Sequence, residues 1–170
     1  MGELTRALAW AALADASLPT AAAVTLLRTM GSPEAVLASS RASISSAAGA
    51  AVAQRLAERD PARAEAARAW LDDAEHRLIA WDDEAYPRSL LELADPPLAL
   101  FAMGRLELLS RPAIAIVGSR QATTQGIEDA AAFARTLADA GLTVVSGLAQ
   151  GIAAAAPRGA LPPPASTLAV

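Results

Sequence analysis

Hydrophobic positions along the chain change their period once, and the change divides it. In residues 3–15, Leu4, Ala7, Leu8, Ala11 and Ala12 share one helical face, with Trp10 beside it. Pro19 marks a break, and Thr20 is placed to N-cap a second helix that runs through Met30 and closes at Gly31. Ser32-Pro33-Glu34 has the order of an N-cap followed by proline at the first helical position, which predicts a short third helix. The Ser/Ala-rich stretch Ser39 to Gly49 reads as a loop. Ala50 to Ala80 is alanine-rich and helical, with a boundary at Asp60-Pro61, where Asp60 caps the next helix. Trp70, Leu71, Ala74 and Leu78 are spaced to pack on a sheet. Arg77 to Trp81 is the first strand candidate, ahead of a turn at Asp82-Asp83.

Further on, apolar residues come in short unbroken runs. Leu98 to Phe101 is one, ending at Gly104. Ile114 to Val117 reads as a buried strand, and Leu142 to Val145 as a second. Between these two, Ile127, Ala130, Ala131, Phe133, Ala134, Leu137 and Ala138 have the spacing of one helical face, and Gly141 follows as a C′ residue. Strand, helix, strand in this order predicts a right-handed βαβ unit. Thr167 to Val170 is a further strand. The fold class expected is α/β, a parallel sheet preceded by a small helical part.

Each of the two central strands ends in a loop of small residues: Gly118-Ser119-Arg120 after the first and Ser146-Gly147 after the second, with Gly126 and Gly151 close behind. In open α/β sheets ligands bind outside the carboxyl ends of strands. Glycine allows close backbone approach, N–H groups at a helix start attract phosphate, and an arginine fork suits phosphate oxygens. The spacing Gly118 to Gly126 is not the dinucleotide fingerprint. The same residues also suit tight βα turns with Arg120 as a surface ion-pair partner, and the residues alone leave both readings open.

Composition narrows the chemistry. The 170 residues suit one domain plus a small one, and all fourteen basic residues are arginine. A net charge of -4 argues against broad attraction to nucleic acid but not against a local site. Six acids fall between Asp72 and Glu84, whereas the segment from Arg105 on has five arginines against four acids, so the acidity lies away from the loops. There is no cysteine, and the lone His76 reads as a solvated residue near a helix end. No metal, cofactor or catalytic residue is expected. Glu3 and the lack of a basic leader argue against a secretory signal, and no apolar run reaches membrane-spanning length, so a cytoplasmic location without membrane contact is expected. Tyr86 could stack a nucleobase, though anchoring its own loop is the simpler role.

VGSR at Val117–Arg120 with the following Gly126, SGLAQGI at Ser146–Ile152, and YPRSLLELADPPLALFAMG at Tyr86–Gly104 together resemble the DprA/Smf family of DNA-processing proteins. The order and spacing of all three agree. The resemblance implies an extended, here incomplete, Rossmann-like domain over 61–170. It implies a sterile-alpha-motif-like or helix-hairpin-helix-like domain over 1–60. It further implies a non-enzymatic protein that binds single-stranded DNA and loads the RecA recombinase during natural transformation, and that forms a homodimer. The residues it assigns to DNA phosphates are Gly118, Ser119, Arg120, Gly126, Ser146, Gly147 and Gly151. Helix-hairpin-helix contact with DNA needs a glycine in the hairpin, and Ser17-Leu18-Pro19-Thr20 has none, so a packing role is expected of the helical part.

Three places depart from the family pattern. Ala153 stands where the family has aspartate, Pro157 where it has histidine, and Pro164-Ala165 where it has a glycine pair. Pro157 is expected to break its helix and misassemble the second loop, and Pro162-Pro163-Pro164 to end any helix. Two other functions are consistent with strand-end glycines. One is a nucleotide-binding protein or enzyme of the phosphoribohydrolase-like superfamily, whose PGGxGT-type motif is absent. The other is a nonfunctional DprA-family fragment, with a bare sheet edge that makes it unstable or self-associating.

Overall fold

The computed structural model describes residues 2–161 and 166–170. The run Pro162 to Ala165, with the expectations placed on it, lies outside the described residues. The chain divides into two compact units at Gly104/Arg105.

The first unit opens with helices α1 (Gly2–Asp15), α2 (Thr20–Met30), α3 (Pro33–Ala38), α4 (Arg41–Ala48), α5 (Ala50–Ala57) and α6 (Pro61–Leu71). Ser32 and Asp60 act as the caps their sequence context predicts, accepting from the N–H groups of Ala35 at 3.2 Å and Ala62 at 2.9 Å. The segment read as a loop is in fact helix α4. Ser40 caps it by accepting from Ser43 N–H at 3.1 Å, and Ile44 anchors it in the core. Thr20 is not the N-cap of α2; Pro19 holds that position and offers no side-chain bond. The side chain that caps α2 comes from far along the chain. Asp95 Oδ1 accepts from Thr20 N–H at 2.8 Å and from its hydroxyl at 2.5 Å.

The core of this unit gathers Trp10, Leu13, Leu18, Leu26, Val36, Ile44, Val52 and Leu56. Of the stripe expected on α1 only Ala11 is buried; Ala9, Trp10 and Leu13 are the other buried residues of the helix, and Leu4 and Leu8 are half-buried. An antiparallel hairpin, β1 (His76–Ala80) with β2 (Ala99–Met103), completes the unit, pairing His76 with Met103 and Ala80 with Ala99. The first strand expected at 77–81 thus forms as β1, and among the described residues it pairs only with β2. Tyr86 is buried and its hydroxyl donates to Pro97 O at 2.7 Å, the loop-anchoring role. His76 is not solvated at a helix end. It lies in β1, its ring stacked on Trp70 at 4.0 Å, with Nδ1 2.7 Å from Trp70 O.

The second unit is the βαβ core: β3 (Ala113–Ala115), α7 (Thr124–Asp139), β4 (Thr143–Ser146), α8 (Ile152–Ala160) and β5 (Thr167–Ala169). The sheet is parallel in the order β3-β4-β5, with Ile114 opposite Val144 and Val144 opposite Thr167. This is the α/β, Rossmann-like arrangement. Its core is small-residue packing: Ala134 and Ala138 of α7, Val144 of β4, and Ala156 and Ala160 of α8. Gly159 lets α8 press onto α7, because a Cβ there would overlap the backbone carbonyl of Ala131.

Three expectations give way here. The strand read as buried, β3, is an edge strand with all three residues exposed. The face of α7 is narrower than its apolar pattern: Ala130, Ala134 and Ala138 are buried, but Ile127 is half exposed and Phe133 is 69% exposed. Pro157 does not break α8; the helix continues through it and the proline is buried. No helix among the described residues is long and apolar enough to cross a membrane.

Candidate nucleic-acid interface

The two strand ends are stitched together. Beyond β3, Ile116 N–H donates to Val145 O at 2.9 Å, and Ser146 Oγ returns a bond to Ile116 O at 2.7 Å. Ser146 is 2% exposed, so its hydroxyl fixes the fork rather than facing outward. Gly118, Ser119 and Arg120 follow on the surface. Ser119 Oγ accepts from Gln121 N–H at 3.1 Å, turning the chain toward α7. Thr123 caps that helix by accepting from Gly126 N–H at 3.1 Å, so the Gly126 amide is already engaged.

The second loop runs Gly147-Leu148-Ala149-Gln150-Gly151 into α8. Gly151 has φ 79° and lies so close to the first loop that a Cβ would overlap Ser119 O. The next amide, Ile152 N–H, donates to that same carbonyl at 3.2 Å. The Ile152 side chain occupies the space beside Gly118, where a Cβ would come within 2.7 Å of it, and its Cδ1 faces Gly126. Sequence reasoning missed Ile152, whose signal was its place directly after the second glycine of the motif. It also missed Leu148, a non-glycine residue at φ 50° with its side chain 58% exposed. A left-handed leucine is costly unless its surroundings hold it, and such residues cluster at functional sites.

Five of the seven expected residues thus meet along one seam, Gly118, Ser119 and Gly126 on one side and Ser146 and Gly151 on the other, while Gly147 follows Ser146 and lies beside Val170 O. Arg120 sits at the seam's outer end, exposed, with no ion pair to any described residue. The N–H groups of Gly118, Ser119, Arg120 and Gly147 donate to no acceptor among the described residues. The outer rim therefore offers several backbone donors and a cation, while its inner groups, Ser146 and Gly126, are spent on holding the loops. Both departures from the family pattern inside α8, Ala153 and Pro157, are buried in the helix and leave the loop backbone intact. No group of His, Asp and Glu able to hold a metal ion is present among the described residues.

Residues 77–170 match the DNA recombination-mediator protein A family. The chain belongs to this family. It is 42% identical over 97 residues to Protein Smf of Escherichia coli, a match covering 57% of this chain and 26% of that protein. It is 42% identical over 88 residues to the DNA processing protein DprA of Streptococcus pneumoniae, covering 52% of this chain and 31% of the relative. The matched region thus spans about a quarter to a third of these relatives. Among solved structures, that of DNA processing protein A from Streptococcus pneumoniae superposes with a TM-score of 0.67 at 28% identity, covering 94% of this chain and 55% of that one.

Proposed function

We propose that the seam between the strand-end loops holds the sugar–phosphate backbone of single-stranded DNA, and that the chain acts in DNA processing. Phosphate oxygens accept from the free N–H groups of Gly118, Ser119 and Gly147, and Arg120 closes over them as a forked cation. The observation that carries this reading is Arg120 without an ion pair, beside backbone donors without acceptors. Contacts of this kind give salt-dependent affinity with little sequence preference. The reading assigns a binding role and no catalytic step. Family membership supports the wider proposal that the bound strand is delivered to a RecA-type recombinase in the cytoplasm, with a second copy of the protein as a partner.

Fluorescence anisotropy of a labelled oligo-dT, titrated at low and high salt with the wild-type chain and with Arg120→Ala, tests the site. Binding that weakens with salt, and a salt slope shallower by about 0.7 in the variant, support it. A folded chain that shows no binding at low salt, or an Arg120→Ala variant that binds as the wild type does, overturns it.

A further inference from the structure

One pair of side chains in the first unit lies apart from everything the strand-end reading uses. The register of the hairpin sets His76 of β1 directly across from Met103 of β2, and the imidazole Nε2 lies 3.2 Å from the Met103 sulfur. The ring is held in two further ways. It stacks on the Trp70 indole, with centroids 4.0 Å apart and planes 3° from parallel, and its Nδ1 lies 2.7 Å from Trp70 O. Phe101, also on β2, meets Trp70 edge to face at 5.3 Å and braces the indole in turn.

These contacts decide where the ring proton is. A carbonyl oxygen only accepts, so Nδ1 is the nitrogen that donates, and in the neutral ring Nε2 keeps its lone pair. A thioether sulfur is likewise an acceptor. Two lone pairs therefore face each other across 3.2 Å, an arrangement that a shared cation stabilises.

The donor types select the cation. Thioether sulfur is a soft ligand that favours Cu(I), and imidazole also suits copper, whereas magnesium and calcium call for oxygen. A ligating histidine ordinarily donates its other ring N–H to a carbonyl or carboxylate, the role Trp70 O has here. Ligand bonds of about 2.0–2.3 Å ask the pair to open by about 1 Å. Met103 is 68% exposed and unbranched, so its side chain has room to move that far. Asp72, Asp73 and Glu75, all exposed, precede His76 with only Arg77 to oppose them, so the local field draws cations.

We propose that His76 and Met103 form a binding site for a soft monovalent metal ion of the Cu(I) class. The site lies wholly within the first unit and stands or falls separately from DNA binding.

Calorimetric titration of the full chain with Ag(I) in chloride-free buffer, with NMR of the methionine methyls and the histidine ring, tests it. Ag(I) is the air-stable member of the class, and the chain has no cysteine and no second histidine to compete for it. One equivalent binds with a Kd of about 10 µM or tighter and moves the Met103 methyl and His76 Nε2, while the methyls of Met1 and Met30 stay in place. Zn(II), less suited to a thioether, binds at least about tenfold more weakly. Met103→Leu keeps the size and removes the sulfur; His76→Phe keeps a ring on Trp70 and removes the nitrogens. Each weakens Ag(I) binding at least about tenfold, and the wild-type methyl shifts remain an independent check should a variant misfold. No saturation by about 100 µM Ag(I), the result expected if the pair shares a proton instead, would overturn the proposal. So would shifts at Met1 or Met30 as large as those at Met103, undiminished binding by either folded variant, or equal affinity for Zn(II).

Discussion

Ile152 and Ser119, from two different strand-end loops, share a hydrogen bond at 3.2 Å: the first amide of α8 donates to the carbonyl of the first loop. The N-terminus of that helix is therefore partly closed by protein. Free donors lie instead on the loops beside it, at Gly118, Ser119 and Gly147. Whatever perturbs this bond displaces both loops together.

Gly151 is the position most sensitive to that perturbation. Gly151→Ala places a methyl group against Ser119 O at a backbone φ of 79°, combining overlap with conformational strain. We expect a loss of about 1–3 kcal/mol of stability by urea denaturation, together with loss of oligo-dT binding. A variant that unfolds at the wild-type midpoint would show that the loops can part at no cost.

Gly159 tests the helix crossing away from the loops. Gly159→Ala drives a methyl into the Ala131 carbonyl and should cost about 1–3 kcal/mol, read by thermal melting. Binding at a temperature where the variant remains folded should be nearly unchanged, because no loop group is touched.

Asp95 gives the first unit a pH dependence. The Thr20 hydroxyl and then the Thr20 amide, both donating to its carboxylate, lower its pKa below the ordinary carboxylate value. A group with a depressed folded pKa stabilises at pH above its unfolded value, near 3.9, and loses that contribution as pH falls through the folded value. The first unit should therefore lose thermal stability on acidification below about pH 4, and Asp95→Asn should flatten that part of the profile. Parallel acid profiles for the two proteins would remove Asp95 from the account.

Phe133, with Ile127 and Val117, leaves apolar side chains on the surface of the second unit, whose strand β3 is an edge. We expect the isolated chain to self-associate at micromolar concentration, and Phe133→Glu to raise the monomer fraction in sedimentation velocity. A monodisperse, cooperatively melting wild-type monomer would contradict this.

What could be read from the sequence follows the range of each interaction. Ser32 and Asp60 cap helices through partners two or three residues away, so their roles were visible in the local order of residues. Thr20 was misjudged because its partner lies 75 residues on. The face of α1 was misjudged because alanine lies on both of its sides, and the weight falls on Trp10, which reaches into a core built by other helices. Pro157 carries a local penalty of about 3 kcal/mol, yet α8 continues through it and the residue is buried. At the seam, the small residues were legible as a group. Their division into groups that hold the loops and groups left free was not: Ser146 is engaged by Ile116, 30 residues away, although the Gly126 amide is engaged by Thr123 within its own turn.

The bond between Thr20 and Asp95 also bears on how the protein is made. During synthesis α2 leaves the ribosome long before Asp95 exists, and its first turn stays without a side-chain cap until the segment between β1 and β2 arrives. The helical bundle and the hairpin should then mature together rather than in the order of translation, and a nascent chain arrested before Asp95 should digest readily with protease near Pro19, while one extended past the hairpin resists.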